Sequence, residues 1–317
     1  MKAAVVTRFD QAPRFETFPL PTEIGAHEEI ATVVAAGLHP RVLSQADGSH
    51  YTSTDDLPLV PGIDGVARMA DGTMRYFVQS DGALGSMAEQ TIVDRRRSVV
   101  LPADADPIRI AAAMNPAMSS WVALRRRIDF RPGQRVLVLG ATGSAGRLAI
   151  QVARHLGADR VTAVGRGAER LAALGADVTV ALDGDDDGAI AADLAEAGRD
   201  VDVVLDYLWG EPTSTALRAI VPKRADDDQP LSWVQIGSVA GADSAIPSAA
   251  LRATRLQLVG SGQGSVPTRD ILSELAALAV VVSGDAFSLA ARAVPLERVE
   301  EAWAEAPTSR DRIVLVP

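Results

Sequence analysis

Four consecutive apolar residues, Val136 to Leu139, run directly into glycines at 140, 143 and 146. Leu148, Ile150, Val152 and Leu156 then recur at helical spacing as far as Gly157. A continuous apolar run fits a strand buried on both faces, as in a parallel sheet. A glycine after a periodic run marks a helix stop. The pattern therefore predicts strand, tight turn and helix. Further buried-strand runs follow at 161–164, 178–182, 201–205, 233–236 and 256–259, with Ala/Leu-rich helical segments between several of them. That alternation predicts a doubly wound parallel sheet with right-handed crossovers, an α/β fold of the Rossmann kind.

The first 110 residues read differently. Short β-like runs at 3–7, 30–35, 65–69, 74–79 and 88–93 are separated by Pro, Gly and Asp, which predicts a small irregular β domain. The run at 311–317 reads as one more strand, expected to return to that first domain. The expected division is 1–115, completed by 262–317, around a nucleotide-binding domain at 116–261.

A strand, a glycine-rich turn and a helix make a cradle for a dinucleotide. The glycines allow close backbone approach, and the helix N-terminus faces the pyrophosphate. The same turn can also bind nothing; the strand and helix around it favour the nucleotide. Ala141, Thr142, Gly143, Ser144, Ala145 and Gly146 form the expected cradle. NAD sites usually place an acid about 20 residues beyond the glycines, on the ribose diol. Here Ala163-Val164-Gly165-Arg166-Gly167 has none before Glu169. A guanidinium suits a 2′-phosphate, so Arg166, with Arg170 one turn on and Gly165 beside it, points to NADPH. Gly237, Ser238 and Ser261 complete the expected cofactor set.

Composition removes several classes. The 317 residues carry a net charge of −10, against nucleic acid as a partner. The start of the chain turns polar by Thr7 and Arg8, unlike a signal peptide, and no apolar run approaches the ~18–20 residues that span a bilayer. A cytoplasmic protein is expected. There is no cysteine, so disulfides and thiolate zinc sites are impossible. The four histidines, His27, His39, His50 and His155, show no metal-binding spacing, and no metal is expected. The acidic run at 183–188 lacks EF-hand spacing and reads as a solvated loop, as does 223–230.

Several segments in order resemble the medium-chain dehydrogenase/reductase superfamily, in its zinc-free quinone-oxidoreductase (zeta-crystallin-like) branch. Val60-Pro-Gly-Ile-Asp-Gly65 resembles a family turn, and 111–124 the helix that leads into the nucleotide domain. Arg131-Pro-Gly-Gln-Arg-Val136 precedes the glycine fingerprint. Leu174-Gly-Ala-Asp177, Val203-Val-Leu-Asp206 and 295–302 follow in family order. The resemblance implies a GroES-like β-rich catalytic domain beside the Rossmann domain. Zinc-dependent members have a Cys where this chain has His39, and a Gly-His-Glu where it has Gly62-Ile-Asp64. A Tyr-x-x-x-Lys pair, needed by short-chain reductases, is missing at all three tyrosines.

Without zinc, no Lewis acid polarises an alcohol or simple ketone. The resemblance therefore implies hydride transfer from NADPH to a quinone or conjugated enone, a small molecule held in a cleft. Family position suggests His39, Tyr51 and Ser119 near the nicotinamide. Tyr51 is either a hydrogen-bond donor to an enolate oxygen or an ordinary loop tyrosine. His39 is either a proton relay or a hydrogen-bonded structural histidine. Asp64 and Asp206 read as loop-anchoring carboxylates. Two other readings stay open: a silent NADPH-binding protein, because Met87 replaces the family tyrosine after Gly85, and a tailoring reductase for one metabolite. The last sheet strand, at 256–259, is expected at a sheet edge that pairs a homodimer.

Overall fold

Short strands with buried faces build the first part of the chain: β1 (Lys2–Val5), β2 (Arg14–Thr17), β3 (Glu28–Gly37), β4 (Asp64–Arg68), β5 (Met74–Val78), β6 (Gln90–Asp94) and β7 (Ser98–Val100). Helix α1 (Pro40–Ala46) follows β3, and α2 (Pro107–Val122) follows β7. Next come β8 (Arg135–Leu139), α3 (Ser144–His155), β9 (Arg160–Gly165), α4 (Ala168–Ala172), β10 (Val178–Ala181), α5 (Asp187–Gly198), β11 (Val203–Asp206), α6 (Gly210–Ile220), β12 (Leu231–Gln235), α7 (Ala250–Ala253) and β13 (Leu256–Gly260). The chain ends with α8 (Thr268–Ser283), β14 (Ala291–Pro295), α9 (Val299–Glu305) and β15 (Arg312–Val316). This computed structural model describes every residue except Tyr51, Thr52, Asp81, Gln263 and Asp285.

Two compact units divide the chain, Met1–Asn115 with Leu272–Pro317, and Pro116–Ile271. In the first unit, β3 pairs with β4 and β6, and β5 pairs with β4 and β7, all antiparallel. β15 joins the same sheet against β3, with Val314 opposite Gly37, so the run at 311–317 does return to the first unit. β2, β7 and β14 had no counterpart among the expected runs. β2 is mostly exposed and β7 spans only three residues, so neither presents a run of apolar positions. The core of this unit gathers Val5, Leu38, Val42, Val60, Met87, Leu296, Val299 and Ile313.

The second unit holds a parallel sheet in the order β10-β9-β8-β11-β12-β13. Every pairing in it is parallel. Val136 to Leu139 are wholly buried, as expected of a strand covered on both faces. Leu137, Leu139, Val164, Leu194, Val204, Leu217 and Trp233 share one core cluster. Residues 262–271, expected with the first domain, group with this unit. The chain beyond β13 is still tied back, since Ser261 N–H donates to Gln235 O at 2.8 Å.

Because the strands are parallel, the residues that follow them lie along one edge. β8 and β11 are neighbours at the centre, with β9 outside one and β12 outside the other. Chain direction across the sheet reverses there. In open α/β sheets that reversal opens the crevice where ligands bind. None of the described helices is long and apolar enough to cross a membrane.

Candidate functional site

The loop after β8 sits at this crevice. The amides of Gly140 and Ala141 both donate to Val164 O, at 2.9 and 3.0 Å, which ties the loop to the end of β9. Gly143 is the N-cap of α3 and supplies no side-chain hydrogen bond. The first amides of a helix have no intrahelical partner, so those of Ser144, Ala145 and Gly146 are left for an anion. A Cβ on Gly146 would lie 2.3 Å from Gly140 O and 2.7 Å from Ala141 Cα. Only glycine lets helix and loop approach this closely. Thr142 packs its side chain against Gly165, about where a Cβ there would begin, at 3.1 Å from Oγ1. The residues present thus fit a dinucleotide pyrophosphate.

At the end of β9, Arg166 and Arg170 are exposed, and neither has a hydrogen bond or ion pair among the described residues. Two free guanidinium groups beside the glycine loop fit a phosphate monoester. The turn between them also contains Gly167, whose amide bonds to Asp183. Nothing in the local sequence pattern marked that aspartate as part of the turn. Gly237 and Ser238 follow β12, and Ser261 follows β13, so all three lie along the same edge.

Asp206 ends β11 and is wholly buried. Its carboxylate accepts from the amides of Leu208 and Trp209, each at 2.9 Å, from Thr213 Oγ1 at 2.6 Å and from Trp233 Nε1 at 2.9 Å. It anchors the turn that carries Tyr207. Ser119 Oγ donates to Pro116 O at 2.8 Å and lies 2.9 Å from the Tyr207 hydroxyl. Because the single serine proton goes to Pro116, Tyr207 donates to Ser119. Burial, partly offset by Ser119 and Ser120, pushes the Tyr207 phenol up to about 12, so it stays protonated at neutral pH. Tyr207 Cβ lies 3.2 Å from where a Cβ on Gly140 would sit. No sequence motif singles out this tyrosine. Its place one residue beyond a central strand was the signal that could have found it.

The first unit holds a second polar cluster. His39 holds the N-cap position of α1, with no side-chain capping bond, just beyond Gly37, where β3 packs against the backbone of Ala111 too closely for any side chain. His39 Nε2 lies 3.0 Å from Asp64 Oδ1, and the Tyr76 hydroxyl donates to Asp64 Oδ2 at 2.6 Å. His39, Asp64 and Tyr76 are 3%, 1% and 0% exposed. Arg312 is buried nearby, with Nη1 donating to Leu38 O at 3.4 Å. Burial, opposed by Asp64, lowers its guanidinium to about 10. Asp64 is thus the anchor it was expected to be, but its partners Tyr76 and Arg312 come from distant β5 and β15. Tyr51 lies outside the described residues. Arg224, within the loop expected to be solvated, is instead buried and donates to Val201 O at 2.6 Å.

Burial lowers the pKa of His39 from 6.5, with the Asp64 hydrogen bond and charge opposing it. The unfolded chain therefore takes up this proton first as pH falls. His39 contributes stability that is complete above about pH 6.5 and declines below it. The thermal midpoint of the parent is expected to fall more steeply with acidification than that of His39→Gln. Parallel pH profiles for the two would refute the assignment.

No group of three or more His, Asp or Glu side chains gathers to hold a metal among the described residues. A cavity of about 540 Å³ opens in the first unit, lined by Phe15, Val294, Pro295, Leu296 and Val316 among others. It contains none of the residues expected in the site; its walls are mainly apolar, with Glu89 and Glu297 among them.

No protein-family model matches the chain. It is 30% identical to a probable NADPH-dependent quinone reductase, tdiC, of Emericella nidulans, with 100% of both chains covered. It is 31% identical to the chloroplastic NADPH-dependent alkenal/one oxidoreductase of Arabidopsis thaliana over 50% of this chain and 46% of that one. The solved quinone oxidoreductase of Thermus thermophilus, also crystallised with NADPH, superposes with a TM-score of 0.79 at 25% identity over 100% of both chains. A mycobacterial quinone oxidoreductase shares the fold with a TM-score of 0.82 at 20% identity. The chain belongs to the zinc-free medium-chain dehydrogenase/reductases, in the quinone-oxidoreductase branch. Its two units are the GroES-like and Rossmann domains of that family.

Proposed function

We propose that the chain is an NADPH-dependent enzyme that reduces quinones or α,β-unsaturated carbonyls without a metal ion. The observation that carries this reading is the uncapped α3 N-terminus with two unpaired arginines one strand away. NADPH, when bound, supplies the hydride. The amides at 143–146, together with Ala141 and Thr142, hold the pyrophosphate. Gly165, Arg166 and Arg170 hold the 2′-phosphate, and Gly237, Ser238 and Ser261 line the rest of the cofactor edge. Tyr207 fixes the hydroxyl of Ser119, and Asp64 fixes the ring of His39. Both are oriented groups and need no reorganisation during reaction.

With no cysteine the chain cannot build a thiolate zinc site. An acceptor already conjugated needs less help, because hydride addition places charge on a conjugated oxygen. One hydrogen-bond donor stabilises that charge, and we assign this role to Tyr51. NADPH consumption with a panel of quinones and enones tests the reading. Turnover is expected with members of both classes, and Tyr51→Phe is expected to lower kcat more than it raises KM. NADPH binding with no turnover on any conjugated acceptor would replace it with a silent binding protein.

The same reading takes the chain as a cytoplasmic homodimer. β13 is the last strand of its sheet, and Leu256 and Leu258 remain half-buried on it. An edge strand of this kind pairs readily with a two-fold copy. Light scattering at micromolar concentration is expected to give twice the mass of one chain. The mass of a single chain would remove the dimer from the proposal.

A further inference from the structure

Asp183 lies in an exposed loop, as expected of the acidic run, but it is also tied to the turn after β9. It stands second after β10, and its two carboxylate oxygens lie 2.9 and 3.1 Å from the amide nitrogen of Gly167. Asp186, in the same acidic run, does something different: it caps α5 by accepting from the amides of Gly188 and Ala189 at 2.8 and 3.1 Å. Asp183 makes no ion pair with Arg166 or Arg170, although it bonds to the residue between them. The Gly167 amide is shared between its two oxygens, and neither guanidinium forms an ion pair with it.

The turn it holds has an unusual shape. Gly167 adopts a φ of 84°, in the left-handed region that favours glycine. A Cβ there would lie 2.6 Å from Arg170 Nε, so the Arg170 side chain folds back across the turn. A segment with glycine at two of three positions, 165 and 167, has many alternative conformations when free. A side-chain acceptor on the Gly167 amide selects one of them. A site ordered before binding loses less freedom when the ligand arrives.

We propose that Asp183 is a positioning residue for cofactor choice: by holding the Gly167 amide it sets the turn so that Arg166 and Arg170 are both presented to the 2′-phosphate. The proposal rests on the NADPH reading above. A carboxylate near a phosphate site opposes binding through its charge, and this one offsets that cost by holding the turn as a hydrogen-bond acceptor. Asparagine should therefore replace it and alanine should not.

Calorimetric titration of the full chain with 2′,5′-ADP and with 5′-ADP tests this without any turnover. Asp183→Ala is expected to weaken 2′,5′-ADP by about fivefold, the scale of one hydrogen bond, and to leave 5′-ADP unchanged. Asp183→Asn, which keeps the acceptor and removes the charge, is expected to bind 2′,5′-ADP at least as tightly as the parent. Equal weakening of both ligands in Asp183→Ala would show a merely structural role and overturn the proposal. So would an alanine variant that binds 2′,5′-ADP as tightly as the parent or more tightly, or an asparagine variant as weak as alanine. A parent chain that binds the two ligands alike would instead overturn the NADPH assignment itself, and the role of Asp183 with it.

Discussion

Arg166→Ala is expected to weaken NADPH binding by roughly ten- to a hundredfold, the worth of charge-assisted hydrogen bonds of about 1.5–3 kcal/mol. NADH should bind the variant and the parent alike, because it lacks the phosphate that Arg166 meets. The expectation stands on two observations. No acid stands between the end of β9 and Glu169, where a ribose diol would be met, and Arg166 is exposed with no partner among the described residues. Fluorescence titration of both cofactors against both proteins measures it. Equal affinity of the parent for NADPH and NADH would refute it, as would an equal loss of both in the variant.

Asp64→Ala is expected to destabilise the first unit severely. The carboxylate accepts from Tyr76 and bonds to His39, and it opposes the charge of buried Arg312. Removing it leaves two buried polar groups without partners and a buried cation uncompensated. Losing one partner of such a cluster costs about 3–5 kcal/mol, or a fall in melting midpoint of roughly 10 °C. Asp64→Asn keeps an acceptor for Tyr76 and should fall less far. Thermal denaturation reads both. An alanine variant that melts with the parent would show that the cluster contributes little.

The nucleotide unit was legible because parallel strands buried on both faces write continuous apolar runs, as 136–139 does. The glycines then mark where backbone must approach backbone, and Gly146 does so at 2.3 Å from Gly140 O to its absent Cβ. The return of β15 to β3 was legible from one terminal apolar run. Other parts carried no local mark. β2 is exposed along most of its length and β7 is too short for periodicity to register.

Within the site, residues on the glycine loop could be read because their chemistry is local. Tyr76 and Arg312 could not, since strand pairing alone brings them to His39 and Asp64. Asp183 was hidden for the same reason: its partner Gly167 lies sixteen positions earlier, across the β9–β10 pairing. Arg224 looked like a charged loop residue, and only the fold shows that carbonyls of the chain enclose it. Composition reports residue types, whereas burial and long-range pairing decide which of them meet.

The most direct test of the account is where the hydride lands. The parent chain is incubated with NADPH deuterated at the transferring position and an α,β-unsaturated ketone, and the product is analysed by NMR. The account predicts a saturated ketone with deuterium at the β-carbon, and no consumption of NADPH when the saturated ketone is offered instead. Deuterium at the carbonyl carbon of an alcohol product, or robust NADP-dependent oxidation of simple alcohols with no activity on any enone or quinone, would contradict it.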